Sequence, residues 1–599
     1  MSAPANLDRA EAISARVSSD ACKGKTAVLP CGATLHIGCF FDGFARNLEQ
    51  DLQDDRASNV GRLFMAHPDD DLAPSANSFE RHKRFYISGL GAPFDSTLGG
   101  GAALAGTGMA GAASKAKDNL SKLPAGTATD MGVEAGQDIL TGKNWWERML
   151  NNLSPEKLRV RGLAGAATGV VTAGVEGVPI MRDNEQMAEL FKTGVETRLE
   201  AAAQALNDTL NKVRAQSDVP LKRIAVSVYG FDFGATLARA FSHKLFAECE
   251  PGTTRYQGIA LDIVFAGLFD AVDRSMASSI VLDYWLPLVS QVDDGECLPG
   301  PTKAALHLVA AHECRGTRRA RLIGTGVSTP RWEERLVPGI SEDVGGGLRK
   351  EDAPSSRELH LACLHEMYRA AYRAGVPFPQ MEQLQREDKY VASFFVLNDH
   401  INGISALDAS TRYQDKVGAR QPSADAFLQH RRWYIRRLRG LWQMYREQYR
   451  AFEEEEARLE RPLMGSGGVF ARHLGLGNES PAQAATRDRV LAQVRARKAA
   501  LRNSLGWLEQ VQMEADMLGR HSYSAPTQAL LDEWYAPVAV TVSFDIEDVL
   551  ELFLNDRYMI SQLSPTITTL KYFVVRDFDS PDWRKTAGTL PSPLEQVAR

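Results

Sequence analysis

Short apolar runs alternate with helical patterns between residues 31 and 400. Runs of this kind are typical of strands in a parallel sheet whose two faces are both covered by helices. The alternation therefore predicts an α/β domain with a mostly parallel sheet and helices on both faces. The predicted strands are 34–47, ending in a turn at Asp42–Gly43, then 84–93, 224–229 and 259–272, with the segments 304–315 and 334–347 following; the predicted helices are 185–217, 235–247 and 355–375, the last capped by Ser355 or Ser356 and stopped by Gly375.

The pattern changes after Leu428, where apolar residues recur at alternating steps of three and four. Such a seam is typical of helices that pack side by side, and a weaker seam follows after a loop-like segment. An antiparallel helical hairpin is the simplest interpretation. The charged runs Arg431–Arg439 and Glu453–Glu456 predict solvated helix faces or, alternatively, a face that docks onto a membrane or a partner. The first seam holds Leu428, Ile435, Leu438, Trp442, Tyr445, Tyr449 and Phe452, and the second holds Leu491, Val494, Leu501, Leu505 and Leu508.

These patterns predict a chain of several segments, consistent with its length of 599 residues. The Gly/Ala-rich stretch 95–181 is interpreted as an insertion of short helices and loops, with a lid or membrane-touching segment as the alternative. The expected segments are a polar leader over 1–30, the α/β domain over 31–400 with that insertion, and a helical hairpin module over 401–530. Residues 531–580 are expected to hold a helix and two late strands, 538–544 and 570–575, and a return of this segment to the main domain is one interpretation. A loose tail is expected over 581–599.

Composition narrows the class of protein. The formal net charge is −6, so no field of positive charge indicates nucleic acid as a partner. The seven cysteines are scattered, which argues against a disulfide framework or a zinc site and favours a reducing compartment of synthesis. The first residues lack the apolar core of a secretory signal, and no apolar stretch is long enough to span a membrane.

One short stretch carries the candidate chemistry. The apolar run Ile224–Tyr229 leads into Gly230-Phe-Asp-Phe-Gly234 and then into a helical pattern. This is the layout of a nucleophile elbow, in which a serine normally stands between two glycines at a strand-to-helix corner. Here the central residue is Asp232. We call Gly230–Gly234 the corner.

Four blocks together resemble a known family. They are FFDGFARN at 40–47, similar to F-F-D-G-T-x-N-N; the corner and its helix, similar to G-F-S-R-G-A; GLFDAV at 267–272, similar to G-x-F-D-T-V; and VPGISEDVGGGL at 337–348, similar to P-G-x-H-S-D-V-G-G-G-Y. In this order they resemble the first phospholipase effector family of bacterial type VI secretion systems. HLVAAHECR at 307–315 is a weaker fifth match. The resemblance covers roughly 35–400 and implies an α/β-hydrolase-like fold, to which the helical hairpin would be a C-terminal extension.

The resemblance implies three catalytic positions. The family's serine attacks an acyl ester of a phospholipid, its histidine is the base, and an aspartate orients that histidine. The matching positions here are Asp232 for the nucleophile, Asp270 for the orienting acid and Ser341 for the base, so one of the three is retained. The oxyanion hole uses backbone amides, and the matching ones are those of Phe233 and a residue near Gly43.

The two replacements weaken the expected chemistry. Asp232 is anionic at neutral pH, but a carboxylate that attacks an acyl ester would form an anhydride. Its negative charge would also repel the developing oxyanion. The hydroxyl of Ser341 cannot serve as a general base near neutral pH. Among the histidines that follow Asp270, His400 is the weakly favoured stand-in base, while His307, His312, His360 and His365 are expected to be structural.

Carboxylates also suggest a third chemistry. Asp232, Asp270, Glu342 and Asp343 could converge as oxygen ligands for a hard cation such as Ca²⁺. Sequence spacing does not test this convergence, so no cofactor is the default expectation.

Three hypotheses of function stay open. The chain is a type VI phospholipase-family effector that acts on phospholipid acyl esters, or an inactive pseudoenzyme that serves as a binding or adaptor module, or a carboxylate- or metal-dependent hydrolase. The resemblance implies an antibacterial protein that is cytoplasmic in its producer and exported to the periplasm of a target cell. The partners it implies are the target phospholipid membrane, a type VI spike or adaptor protein, and an immunity protein.

Overall fold

A computed structural model describes most of the α/β region and of the helical region. The described residues are 32–71, 79–94, 194–216, 219–273, 297–315, 318–323, 331–353, 355–460, 481–519, 524–536, 553–561 and 572–579. The leader 1–30, the insertion 95–181, the predicted strand 538–544 and the tail 581–599 lie outside these residues.

A seven-stranded sheet forms the centre of the α/β region, in the order β2-β1-β3-β5-β7-β9 with β4 beside β5. All neighbouring strands along this order are parallel, and only β4 is antiparallel to β5. The prediction of a mostly parallel sheet is therefore confirmed. The strands are β1 Ala33–Phe41, β2 Glu80–Ile87, β3 Leu221–Phe231, β4 Arg255–Tyr256, β5 Ile259–Phe269, β6 Val272–Asp273, β7 Ala305–Ala310, β8 Arg319–Arg321, β9 Trp332–Val337, β10 His400–Ile401, β11 Ile404–Ser405 and β12 Phe578–Asp579.

The strand sequences explain why the sheet is covered on both faces. In β3 every residue from Ile224 to Phe231 is buried, without the alternation of a half-exposed strand. On one face Leu199, Leu206 and Leu210 of α3 join the core, at spacings that place them on one side of that helix. The helices are α1 Leu48–Gln53, α2 Asn59–Ala66, α3 Val195–Gln216, α4 Phe233–Ala247, α5 Ser341–Gly345, α6 Leu359–Arg373, α7 Met381–Glu387, α8 Lys389–Ser393, α9 Ala406–Val417, α10 Ala424–Glu460, α11 Pro481–Leu518, α12 Ala525–Tyr535 and α13 Asp556–Ser561.

Parallel strands place their carboxyl ends at the same edge of the sheet, and here an acidic residue lies at or shortly after the end of each of five strands. These residues are Asp42 after β1, Asp232 after β3, Asp270 after β5, Glu313 after β7 and Glu342 after β9. Ligand sites in open α/β sheets lie outside this edge. The fold therefore brings Asp232, Asp270 and Glu342, three of the sequence-predicted site residues, to one edge of the sheet.

The chain packs as two compact units. The first holds the described residues up to Phe427, together with those within 546–564 and 576–594. The second holds the described residues within 428–545 and 565–575. Its long helices α10 and α11 are antiparallel, since Arg495 pairs with Glu456 and Glu460 while Lys498 pairs with Glu453. A C-terminal helical hairpin is therefore confirmed.

The late part of the chain differs from its prediction. Residues 572–575 form bends and loop rather than the end of a strand over 570–575. A two-residue strand, β12, follows instead and pairs with β8 in a small three-stranded sheet apart from the main one. The N-cap of α6 is Glu358 rather than Ser355 or Ser356, and the hydroxyl of Ser356 accepts the amide hydrogen of Glu358.

Among the described residues, no helix is long and apolar enough to cross a membrane.

Candidate functional site

The corner is an elbow in its backbone geometry. Asp232 stands between the end of β3 and the start of α4 with φ 54° and ψ −127°. A residue with a side chain adopts this conformation only at a cost of about 1–3 kcal/mol, so surrounding structure must enforce it. The amide of Asp232 donates to the carbonyl of Phe269, and its carbonyl accepts from Ala235. The chain therefore retains a strained strand-to-helix turn with an aspartate at its tip.

The two glycines of the corner are required by close packing. A Cβ on Gly230 would lie 2.3 Å from the Cα of Ala235, and one on Gly234 would lie 2.2 Å from the carbonyl oxygen of Asp42. Neither approach tolerates a side chain, because the opposing atoms are backbone. The Gly-x-x-x-Gly spacing thus lets α4 turn tightly away from β3 and press against the end of β1.

Asp232 is buried, with 2% of its surface exposed, and has a charged partner. Its Oδ1 lies 3.8 Å from the guanidinium of Arg318, and its Oδ2 accepts the amide hydrogen of Phe44 at 3.3 Å. Burial and the neighbouring Arg315 lower the pKa of Arg318, but Glu342 and Asp232 outweigh them and raise it above its usual value. A carboxylate in this place is therefore a member of an ion-pair network.

Asp270 is engaged still more fully. Its two carboxylate oxygens bind the guanidinium of Arg576 at 2.6 and 3.0 Å, and Oδ1 also accepts the amide of Ala310 at 2.9 Å. Asp270 is wholly buried and Arg576 nearly so. A planar guanidinium that meets a carboxylate through two bonds is among the strongest side-chain pairings. Asp270, which the sequence blocks match to the acid that orients a histidine, is here bound to an arginine.

Arg576 is held in place by its own neighbours. Its guanidinium also donates to the carbonyl oxygens of Ala310 and Arg318. Directly after it, β12 pairs with β8, the strand that begins at Arg319. The returning segment therefore delivers one buried cation to the carboxyl edge of the sheet and fixes the backbone of Arg318 at the same time.

Two further carboxylates complete the network. Arg315 binds Glu313 and Glu342, each with an oxygen at 2.6 Å, and Arg318 reaches Glu342 at 3.0 Å. Burial tends to raise the pKa of Glu313, but the adjacent Arg315 holds it well below its usual range. The pKa of Glu342 is lowered by the same balance. Glu313 and Glu342 therefore stay ionised and paired with arginine.

Ser341 and Asp343 lie on the short helix α5. The hydroxyl oxygen of Ser341 is buried without a hydrogen-bond partner among the described residues, and its amide donates to Glu313. Asp343 accepts the amide hydrogens of Ile340 and Asn555 and the side-chain amide of Asn555. Burial raises the pKa of Asp343 to about 7 against these donors. Asp343 thus caps α5 and anchors the residues that precede α13.

The histidines considered from sequence take part in other contacts. His307 accepts the amide of Ala271 at Nε2 and lies 2.6 Å from Glu334 at Nδ1, which uses both ring nitrogens. His400 lies on the exposed hairpin β10–β11, with Nδ1 3.3 Å from the carbonyl of Asn398, and this placement does not support it as the stand-in base. The remaining contacts are His312 with Tyr413 and Gly339, His360 with Asn59, and His365 with the carbonyl of Phe395.

The amide that faces residue 232 belongs to the residue after Gly43. The amide of Gly43 donates to the carboxylate of its own neighbour, Asp42, at 2.7 Å. Phe44 instead directs its amide at Asp232, as described above. Among the residues near Gly43, Phe44 is therefore the one whose amide faces position 232, because the carboxylate of Asp42 accepts the amide of Gly43. Phe233 opens α4, the position that the resemblance gave it.

The described residues contain no group of three or more His, Cys, Asp or Glu side chains arranged to hold a metal ion. Asp232, Asp270 and Glu342 each have an arginine partner, and Asp343 is bonded to amides. The convergence required for Ca²⁺ is therefore not observed among them.

Sequence reasoning missed the residues that define this site, namely Arg318, Arg576 and Phe44. Buried carboxylates without a histidine imply that cations balance them, since an unpaired buried charge is costly. The chain has 69 lysines and arginines, however, and the pattern does not say which ones fold inward. Arg576 lies 306 residues after its partner Asp270.

Comparison with known proteins supports the fold. No family model and no curated protein sequence matches the chain. A crystal structure of an uncharacterized protein from Pseudomonas aeruginosa aligns over 95% of this chain and 82% of that one, at 17% identity and a TM-score of 0.52. A second structure, described as the Tle1 effector bound to the VgrG spike from the type 6 secretion system, aligns over 62% of this chain and 82% of that one, at 15% identity and a TM-score of 0.30. The first alignment shows a shared fold, and the second is too distant to carry an argument.

Proposed function

We propose that this chain is a non-hydrolytic relative of the type VI phospholipase effectors, which keeps the hydrolase fold and acts as a binding or adaptor module. The observation that carries the proposal is the bidentate pairing of Asp270 with Arg576. In a working triad that carboxylate holds an imidazole, which removes the proton from the nucleophile. Here Asp270 binds the guanidinium of Arg576 instead of an imidazole, and a guanidinium cannot accept that proton.

The nucleophile position leads to the same conclusion. For Asp232 to attack an ester, it would have to leave Arg318 and the amide of Phe44, the amide that an oxyanion would need. Hydrolysis of the resulting intermediate would then require a general base, and Ser341 cannot supply one. The network therefore favours a corner that holds the fold together over one that turns over substrate.

The cellular setting of the proposal rests on the four sequence blocks. We propose export by a type VI system with a spike or adaptor protein as the carrier, and an immunity protein in the producer. Contact with the target phospholipid membrane belongs to the same proposal. In these roles the fold would present surfaces rather than chemistry.

Hydrolysis of phospholipids and of short-chain esters by the purified chain is the test. The wild type and Asp232→Ala should release acyl groups at the same background rate. Asp232→Ala should also unfold at lower denaturant concentration, because Arg318 loses a buried partner. The proposal would be overturned if the wild type turned over substrate and Asp232→Ala lost this activity with its stability unchanged. That result would favour the phospholipase hypothesis.

A second set of variants tests whether activity is absent only because the serine and the histidine are missing, or also because Arg576 occupies Asp270. Asp232→Ser combined with Ser341→His rebuilds the family residues, yet we expect it to stay inactive because Arg576 still occupies Asp270. Adding Arg576→Met frees the carboxylate for the new imidazole. Activity of the double variant without the Arg576→Met change would show that Arg576 does not block the site. The matched control is Asp232→Ala in the triple background.

A further inference from the structure

The helical unit carries a groove that the corner does not explain. Near the C-terminal end of α11, the short helix α12 lies against both long helices. Its Glu533 pairs with Arg432 and Arg436 of α10, while Arg439 donates to the carbonyl of Glu533. On the α11 side, Trp534 donates to Gln512. At this end three helices therefore pack together, and Glu533 of α12 pairs with a row of arginines on α10.

The row of arginines continues beyond α12. Arg432, Arg436 and Arg439 are spaced by four and three residues, and further steps of three and four reach Arg446 and Arg450 on the same face of α10. On the antiparallel helix α11, the corresponding steps from Gln512 lead back to Arg502. This spacing places Arg446, Arg450 and Arg502 farther along the face that α12 covers at one end.

A groove of about 730 Å³ lies along this stretch. The residues that line it include the aromatic residues Trp442, Tyr449 and Trp507 and the arginines Arg446, Arg450 and Arg502. The guanidinium of Arg446 lies over the ring of Trp442, with 5.1 Å to the ring centroid. Arg450 and Arg502 make no ion pair within the described part of the chain. Glu453 and Glu509 also line the groove, and Glu453 is matched by Lys498 at 3.6 Å.

A glycine lines the groove at a position where a side chain would meet open space. Gly506 lies in the middle of α11, where glycine is less favourable than alanine by about 1 kcal/mol. A Cβ at this position would meet nothing within 4 Å. No contact within the described chain therefore requires a glycine there. Gly440 of α10 is equally open but does not line the groove.

We propose that this groove binds an acidic amphipathic helix of a partner protein, which lies on the hairpin as a third helix in line with α12. The occupant's apolar residues would lie on the two tryptophans and the tyrosine, and its carboxylates would pair with Arg446, Arg450 and Arg502, as Glu533 pairs with the arginines before them. A helix in a groove is a common mode of peptide recognition. The inference concerns the helical unit alone and holds whether or not the corner hydrolyses esters.

The experiment uses the full chain and two fluorescein-labelled helical peptides of matched length, with Leu and Trp on one face and either Glu or Lys beside them. Fluorescence anisotropy should give a Kd on the order of 10 μM for the Glu peptide and binding at least about tenfold weaker for the Lys peptide. Gly506→Leu should weaken binding of the Glu peptide by about tenfold, because its side chain fills the groove. Gly440→Leu is the matched control and should bind as the wild type does.

Three outcomes would overturn the proposal. One is equal binding of the Glu and Lys peptides, and another is unchanged binding by Gly506→Leu when circular dichroism shows that it folds. The third is failure of the Glu peptide to bind while phosphatidylglycerol vesicles bind the wild type but not the Arg446→Gln/Arg450→Gln/Arg502→Gln variant. That result would assign the arginines to a lipid surface.

Discussion

The carboxyl edge of the sheet and the groove of the helical hairpin both concentrate arginine, but they use it in opposite ways. At the sheet edge Arg315 and Arg576 are buried, Arg318 is half-buried, and each of the three meets a buried carboxylate. In the groove Arg450 and Arg502 are exposed and make no ion pair within the described residues. A buried charge must be paired within the fold, whereas an exposed one is solvated until a ligand arrives. The arginines at the sheet edge are therefore paired within the fold, whereas Arg450 and Arg502 in the groove are exposed to a ligand.

Glycine shows the same contrast. Gly234 of the corner is surrounded so closely that a Cβ would collide with the backbone of Asp42, while Gly506 in the groove faces open space. One glycine is needed by the fold, and the other is not needed by any contact described in the chain. The predictions below test this contrast, from the largest expected effect to the smallest.

Removal of Arg576 should have the largest effect. Arg576→Ala leaves Asp270 buried without its partner and should lower the free energy of unfolding by about 3–5 kcal/mol, measured by urea denaturation. Arg349→Ala removes an exposed pair with Asp54 and is the control, for which we expect little change. Equal stability of the two variants would contradict the idea that buried ion pairs stabilise the sheet edge.

The pH dependence of stability should show the burial of Asp343. Burial raises its pKa from 3.8 to about 7 in the folded chain. Because the folded state binds the proton more tightly than the unfolded state, this contribution is fully present below about pH 4 and is lost as the pH rises to about 7. The stability of the wild type relative to Asp343→Asn should fall by roughly 3–4 kcal/mol across this window. Denaturation curves at several pH values measure it, and a rise would contradict the assignment.

Substitution of the corner glycine should destabilise the fold. In Gly234→Ala the new methyl group would approach the carbonyl oxygens of Asp42 and Phe41 to 2.2 and 2.4 Å, so the backbone must shift. We expect a loss of about 1–3 kcal/mol, measured as a lower denaturation midpoint. An unchanged midpoint would mean that α4 can move away from β1, and the tight corner would not be required.

The same substitution in the groove should have the opposite sign and the smallest size. Gly506→Ala adds a methyl group in open space within a long helix, so the gain in helix propensity should raise stability by about 0.5–1 kcal/mol. Gly440→Ala should behave alike. A loss of stability in Gly506→Ala alone would show that the groove is closed against another part of the chain.

Each region was accessible to sequence analysis to a different extent. Apolar runs predicted the parallel sheet, since strands buried on both faces cannot alternate with polar residues. The spacing of Gly230 and Gly234 predicted the corner, because a tight strand-to-helix turn excludes side chains at both positions. The seam after Leu428 predicted the hairpin by its period. In each case neighbouring residues carry the signal.

By itself the sequence therefore determined the local elements, the corner with Asp232 at its tip, and the absence of a serine and a histidine from the positions where the family that the blocks resemble has them. The tertiary structure alone decided which groups pair with Asp232 and Asp270. It brought Arg318 to Asp232 and, across 306 residues, Arg576 to Asp270, and it left His400 on an exposed hairpin. The physical reason is that any buried carboxylate needs a cation, but only the path of the folded chain determines which of many arginines reaches it.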